Sequence, residues 1–167
     1  MAVKWKTKKN DFPKMQAAVE RLDGKKVSVG VLGGGEQTWL ASIHEYGCRI
    51  EVTPKMRKYL AATGLHLKAT TTHITIPERA FLRNGYDKSK DEVIAKAEAV
   101  IGDVIGGTMS ENQLFELVGL LLKSRIQDYA RDLDNPPNHP YTVERKGSSN
   151  PLVSTGDLIG SITYKVE

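Results

Sequence analysis

The spacing of hydrophobic positions changes period several times along the chain, and each change marks an element. Phe12, Met15, Val19 and Leu22 recur at helical spacing, which predicts a helix over residues 11–23 with Asp11 as cap, Pro13 in the first turn and Gly24 as the stop. Residues 26–32 alternate, with Val27, Val29 and Val31 on one side and Ser28 and Gly30 on the other. That is the period of a half-buried strand, and Gly33-Gly34-Gly35 breaks it. Residues 37–46 read as a short helix with Trp39, Leu40 and Ile43 as its apolar face. Residues 49–53 alternate again, Pro54 opens a helix over 55–63, and residues 65–76 are β-like through Thr70-Thr71-Thr72 and the Ile74/Ile76 alternation. Pro77 ends that stretch.

The strongest helical signal follows. Val93, Ile94, Ala97, Val100, Ile101, Val104 and Ile105 form one apolar stripe, closed by Gly106-Gly107. Ser110 with Gln113 has the form of a capping box. The next helix carries Leu114, Leu117, Val118, Leu121, Leu122, Ile126, Tyr129 and Leu133. The short link predicts an antiparallel hairpin over residues 91–133, with both stripes as core and Leu121 near the middle of the second. Residues 134–150 hold Pro136-Pro137, Pro140 and Gly147-Ser148-Ser149, too much Pro and Gly to fold alone. A helical turn from Thr155 and a strand through Ile162, Tyr164 and Val166 finish the chain. The expected fold class is α+β: a small antiparallel sheet packed against a long helical hairpin and a short N-terminal helix. Residues 1–10 are a basic arm, and residues 11–167 are one domain with an inserted β/α segment (48–75) and an extended loop (134–150).

Composition narrows the class. The 167 residues are 40% hydrophobic and 26% charged, enough for a packed core. The longest uninterrupted apolar run, residues 59–62, is far short of a membrane span, and the first turns of sequence carry no signal-peptide stretch. A single cysteine, Cys48, excludes an internal disulfide and a multi-cysteine zinc site and fits a reducing compartment. Lys+Arg number 24 against 20 Asp+Glu. Lys4, Lys6, Lys8 and Lys9 account for the whole excess, so the body is neutral and the arm is the basic feature. It suits a phosphate backbone, an acidic protein surface or plain solvent.

Candidate chemistry is sparse. The Gly33–Gly35 triplet is followed by Glu36 and Gln37, where a phosphate loop needs Lys-Ser/Thr, and an acid there repels phosphate. His44, His66, His73 and His139 show no paired metal-ligand spacing. Cys48 lacks an identifiable base, Ser154 and Ser161 lack a nucleophile-elbow context, and Asp132/Asp134 sit at a helix end. No catalytic set assembles, so neither enzyme activity nor a cofactor nor a metal is expected.

Three segments taken in order are distinctive: Ala41-Ser42-Ile43-His44-Glu45-Tyr46-Gly47, then Ile74-Thr75-Ile76-Pro77-Glu78-Arg79-Ala80-Phe81-Leu82-Arg83, then a tail running from Thr142 through Asn150-Pro151-Leu152-Val153-Ser154-Thr155-Gly156-Asp157-Leu158 to Ser161-Ile162-Thr163-Tyr164. Together they resemble the neck and tail-completion (head–tail joining, virion morphogenesis) proteins of long-tailed bacteriophages. The chain departs from the family pattern where Ala80 replaces a frequent Pro, Ser154 an Asp, and Asp157 a basic or amide residue, and by the length of its 48–75 insert. The resemblance implies a structural subunit, made in the host cytoplasm and resident in the virion. Such subunits form a homo-oligomeric ring of on the order of six or twelve copies between the head connector or adaptor ring and the tail tube or terminator proteins. DNA passes through the lumen, and no membrane is involved. The residues expected at ring interfaces are Lys55, Arg57 and Lys58 of the insert, Tyr141, Val143 and Leu152 in and after the loop, and Ile162 and Tyr164 on the terminal strand. The alternative reading is a small nucleic-acid-binding module that uses the lysine arm with the Lys55/Arg57/Lys58 cluster.

Overall fold

The computed structural model describes residues 10–167. The elements are α1 (Phe12–Leu22), β1 (Val27–Val31), α2 (Glu36–Tyr46), β2 (Cys48–Glu51), α3 (Pro54–Ala62), β3 (His73–Ile76), α4 (Phe81–Gly106), α5 (Glu111–Asp132), α6 (Pro140–Lys146), α7 (Asp157–Gly160) and β4 (Ile162–Val166). The fold is α+β, built on the long α4–α5 hairpin. Ser110 and Gln113 form the capping box at the start of α5, each side chain bonding the other's backbone N–H. The four lysines of the arm lie outside the described residues.

Three boundaries differ from the sequence pattern. Helix α4 begins ten residues before the expected hairpin start, because its first turns face the core with Phe81, Gly85 and Ser89, and small residues leave no hydrophobic signature. Gly85 is there for closeness: a Cβ would stand 3.2 Å from the Ile126 Cα on α5. The proline-rich 134–150 segment contains a two-turn helix, α6, with Pro140 in its first turn and Gly147 closing it in the left-handed region (φ 68°). Of residues 65–76 only His73–Ile76 is strand.

The strands form two separate two-stranded sheets, where one small sheet was expected. β1 pairs antiparallel with β4, Val29 opposite Tyr164 and Val31 opposite Ile162. β2 pairs antiparallel with β3, Ile50 opposite Ile74. The β1–β4 ribbon lies against α5. Gly119 makes room for the Tyr164 ring, which an added Cβ would strike, and Gln127 Nε2 donates to the Ile159 carbonyl at 3.0 Å.

The core gathers Phe81, Leu122, Ile126, Ala130, Leu133, Leu152, Leu158, Ile159 and Ile162. It sits where α2, the first half of α4, the second half of α5 and the C-terminal segment meet. The far half of the hairpin is thinner. Val93 and Val104 are buried, but Ile94, Leu117 and Leu120 are exposed, and Leu121 lines an open groove of about 470 Å³ with Lys96, Leu117, Leu120 and Ser124. The two apolar stripes are therefore core only in part, because no third layer covers them. Helix α1 lays Ala18 inward and leaves Phe12, Met15 and Val19 outside, the reverse of the amphipathic expectation.

The buried and open parts of α5 should respond differently to truncation. Ile126→Ala, at a site 2% exposed, should cost about 2–5 kcal/mol, whereas Leu120→Ala should change stability by less than about 1 kcal/mol. Urea unfolding measures both, and equal losses would mean that the open groove is packed in solution.

Candidate functional site

The motif segments of the sequence converge on one polar joint. Glu45, near the end of α2, is 3% exposed. Its Oε2 accepts from the Leu82 N–H at 2.9 Å and its Oε1 from the Arg83 N–H at 3.1 Å. Arg83 returns to it, with Nε donating to Oε1 at 2.8 Å and Nη2 to the Glu45 carbonyl at 2.9 Å, while Nη2 also reaches Glu78 Oε1 at 2.7 Å. The carboxylate thus caps α4 from another element, satisfying two orphan N–H groups at the positive end of the helix dipole. Hydrogen bonding to Glu45 comes first among the causes that raise the Arg83 pKa.

Two backbone positions make the joint possible. Ala80, just ahead of α4, has φ 45°, a left-handed conformation that is uncommon outside glycine. Proline, fixed near −65°, is incompatible with it, so Ala80 at a position where the resembled family often has Pro goes with this local turn. Gly47 has φ 74°, and a Cβ there would meet the Glu78 N at 2.9 Å. Only glycine lets residues 76–78 approach the end of α2 so closely.

A second cluster continues from the first. The Arg79 N–H donates to the His44 carbonyl at 2.8 Å. Its guanidinium reaches His44 Nδ1 at 2.8 Å, the Pro136 carbonyl at 3.1 Å and Asn138 Oδ1 at 3.0 Å. Because arginine donates, His44 Nδ1 accepts, which fixes the neutral Nε2–H tautomer. Burial, followed by the charges of Arg79 and Lys146, lowers the His44 pKa from 6.5 to about 4. Asn150 closes the far side. Its Nδ2 donates to the Arg131 and Leu133 carbonyls at the end of α5 (2.6 and 3.1 Å), and its Oδ1 accepts from the Leu152 and Val153 N–H groups. Glu45, Arg79, Arg83 and Asn150, drawn from the three motif segments, thus hold α2, α4, α5 and the C-terminal loop together.

The residues expected at interfaces divide. Lys55 and Lys58 are exposed on α3. Arg57 is not available as the third member of a basic cluster: its guanidinium donates to the Leu67, Lys68 and Thr71 carbonyls at 3.3, 2.9 and 2.6 Å and holds the 65–72 loop. Tyr141 is half-buried, its hydroxyl 2.7 Å from Thr63 Oγ1 and accepting from Arg145 Nη1 at 2.8 Å. The insert and the C-terminal loop, separate in sequence, meet there. Val143 is half-buried on α6. Leu152 and Ile162 belong to the core, 4% and 0% exposed, which corrects their placement at an interface: their apolar character serves the monomer. Tyr164 covers Gly119 and donates its hydroxyl to Glu116 Oε2 at 2.6 Å.

Sequence reasoning missed the side chains that do face outward. Trp39 and Tyr46 on α2 are 65% and 68% exposed, and Phe12, Met15 and Val19 stand out on α1. Helical periodicity marked most of them as apolar, but period alone does not say whether a face meets its own core or another molecule. A further groove of about 410 Å³ at the α4–α5 junction, lined among others by Lys88, Glu92, Arg125 and Tyr129, holds groups that already pair: Arg125 with Glu92 at 2.6 Å and Lys88 over the Tyr129 ring. Among the described residues no group of three or more His, Cys, Asp or Glu is placed to hold a metal ion, and no helix is long and apolar enough to cross a membrane. Comparison with protein-family models, with curated proteins and with solved structures finds no match to this chain.

The joint predicts two responses. Glu45→Ala removes the one side-chain cap that α4 has among the described residues and should cost about 3 kcal/mol in denaturant unfolding; a loss under about 1 kcal/mol would show that water replaces the carboxylate. For His44, the folded pKa of about 4 lies below the unfolded 6.5, so between those values the unfolded chain binds more protons. Its contribution is complete above pH 6.5 and is lost as pH falls towards 4. The urea midpoint of His44→Gln should therefore fall less steeply over this window than that of the parent, and parallel curves would contradict the assignment.

Proposed function

We propose that the protein is a structural virion subunit of a tailed phage or prophage that forms a ring at the head–tail junction, in the neck or as a tail-completion protein, with DNA passing through its lumen. The observation that carries this reading is the interlocking of the three motif segments. Glu45 of the first bonds Leu82 and Arg83 of the second, and Arg79 of the second reaches the 136–138 loop that leads into the third. That contact between the motif segments is what supports the reading. The role itself is one of contact, without catalysis or cofactor. A ring built from heterologous contacts needs two unlike patches per copy, and the exposed apolar side chains of α1 and of α2 lie on different elements. Such exposure on a chain of this size supports association with other protein surfaces. The exposed charges of Lys55 and Lys58 on α3 suit an acidic surface of a neighbouring ring or the DNA in the lumen.

Particles carrying the double variant Lys55→Glu/Lys58→Glu test the proposal. Both side chains are exposed, so the fold should persist, and electron microscopy of lysates should show separate filled heads and tails, with infectious titre falling at least about tenfold. Joined heads and tails with altered DNA retention would assign the lysines to the lumen. Absence of the wild-type protein from purified particles would end the head–tail reading.

A further inference from the structure

Charge is divided in this fold. Residues 10–167 hold as many acidic as basic side chains, 20 of each, but the two signs are not mixed. The 48–75 insert and α6, which the Tyr141–Thr63 contact joins into one lobe, carry seven Lys and Arg against Glu51 and Glu144 alone. The rest of the described chain is therefore acidic by the same margin of five. On that remainder many cations find acids at home: Arg21, Arg83, Lys90, Arg125, Arg131 and Lys165 each pair with a carboxylate. On the lobe, among the described residues, none does. Arg57 braces its loop through carbonyls. Arg145 rests on the Tyr141 hydroxyl at 2.8 Å, with Tyr59 as its other hydrogen-bonding neighbour. Nothing among the described residues bonds the ammonium groups of Lys55 and Lys58.

Lys55, Lys58, Tyr59 and Ala62 recur at helical spacing on one face of α3, and all four are exposed. The helix is a firm support for them. Thr53 caps it by accepting from the Met56 N–H at 3.1 Å, and Thr63 just past its end holds Tyr141. The counterpart stands on α4, where Asp91, Ile94, Ala95 and Glu98 share the outward face and are likewise exposed. The neighbouring acids Asp87 and Glu92 pair with Lys90 and Arg125, but among the described residues Asp91 and Glu98 have no cation. Each strip spans seven residues of helix, about 10 Å. Each also sets an apolar surface beside its charges, Tyr59 on α3 and Ile94 on α4, 59% and 52% exposed. The two strips do not meet within one copy, since all four charged groups lack an ionic partner there. We infer that α3 of one copy docks on the outward face of α4 of a second copy, with Tyr59 on Ile94 and with Lys55 and Lys58 at Asp91 and Glu98. Charge complementarity names the partner, because the chain itself supplies both signs, in equal amount and on different elements. The contact is head-to-tail, since its two surfaces are unlike. The inference deepens the ring reading by identifying the acidic surface that the two lysines meet, and it rests on that reading for closure of the ring, not for the contact itself.

Sedimentation of the purified full-length chain at low ionic strength tests it. The parent should self-associate with a Kd below about 1 mM. Lys55→Glu/Lys58→Glu should weaken that association at least about tenfold, and so should Asp91→Lys/Glu98→Lys. An equimolar mixture of the two double variants should associate again, because each then offers the sign that the other needs. A monomeric parent, variants that associate as the parent does, or a mixture that stays apart would overturn the inference. Duplex DNA bound by the parent and lost by the lysine variant, with no recovery on mixing, would overturn it in favour of DNA as the partner. If a reversal unfolds the chain, disulfide trapping between a Tyr59→Cys copy and an Ile94→Cys copy, both carrying Cys48→Ser, carries the test. Its yield should exceed by about tenfold that of an acceptor carrying Asp23→Cys instead, and equal yields refute the contact. All of this is read on purified protein, so loss of the virion role leaves the contact standing, and a virion role without association refutes the contact alone.

Discussion

The buried carboxylate of Glu45 is the constraint from which the rest of the arrangement follows. A charge taken out of water must be paired and hydrogen-bonded or it destabilises the fold severely. Here the pairing is met by a helix end and an arginine 37 and 38 residues further along the chain. Helix α4 cannot cap itself, because Ala80 offers no acceptor side chain and Pro77 stands just upstream. The two deficiencies cancel only if the end of α2 lies against the start of α4, so the polar contact selects one relative placement of these elements where apolar packing alone would tolerate several.

That placement has consequences along the chain. With α2 and α4 locked, Gly47 lets residues 76–78 pass close by, and the 48–75 insert leaves and returns at one point through the β2–β3 pair. Arg79, carried into the same joint, reaches the loop after α5 and draws residues 136–138 onto the body. Asn150 then ties the end of α5 to the start of the last segment. Only after this turn is β4 brought beside β1, a pairing between residues near the two ends of the described chain. Long-range polar bonds hold a core of modest size, and they do so at one end of the hairpin. The other end, where α1 crosses the α4–α5 turn, is held by few buried side chains and by the Arg21–Glu111 pair, whose arginine is exposed, so it belongs to the low-stability part of the molecule.

Regular periodicity was the legible part of this fold. The β1 alternation, the capping box at Ser110 and the terminal strand all stand where the pattern of side chains placed them, because each is a local property. The first ten residues of α4 were not legible, since Gly85 and Ser89 pack by being small and carry no apolar signal. Nor was α6, where Pro140 reads as a breaker although it opens the helix. Three of the eight residues expected at interfaces turn out to serve the chain itself, for a common reason. Leu152 was apolar and just after a loop, and Ile162 apolar on a terminal strand, yet both fill the core. Arg57 was basic and near other basic residues, yet it braces its own loop through three carbonyls. Composition records what a side chain is, whereas its availability depends on partners brought in from distant sequence. The same reason hid the joint: nothing local to Glu45 says that it will meet Leu82.

The division between a locked end and a thinly covered end bears on assembly. Association that covers apolar surface stabilises the elements carrying it, by mass action on the folded state. Phe12, Met15 and Val19 sit on α1 and Leu117 and Leu120 on the outer half of α5, at the weakly held end, while Trp39 and Tyr46 project from α2 beside the joint. In the proposed assembly, a contact joining one kind of patch to the other would set a thinly packed surface on a firmly bonded one. The ordering cost then falls on one partner only, and the rigid partner fixes the angle between copies. In the proposed ring that angle has to be uniform for a head-to-tail chain of subunits to close instead of growing as a filament, and on that reading the charged joint around Glu45, which fixes α2 on the start of α4, is what keeps the rigid patch in place.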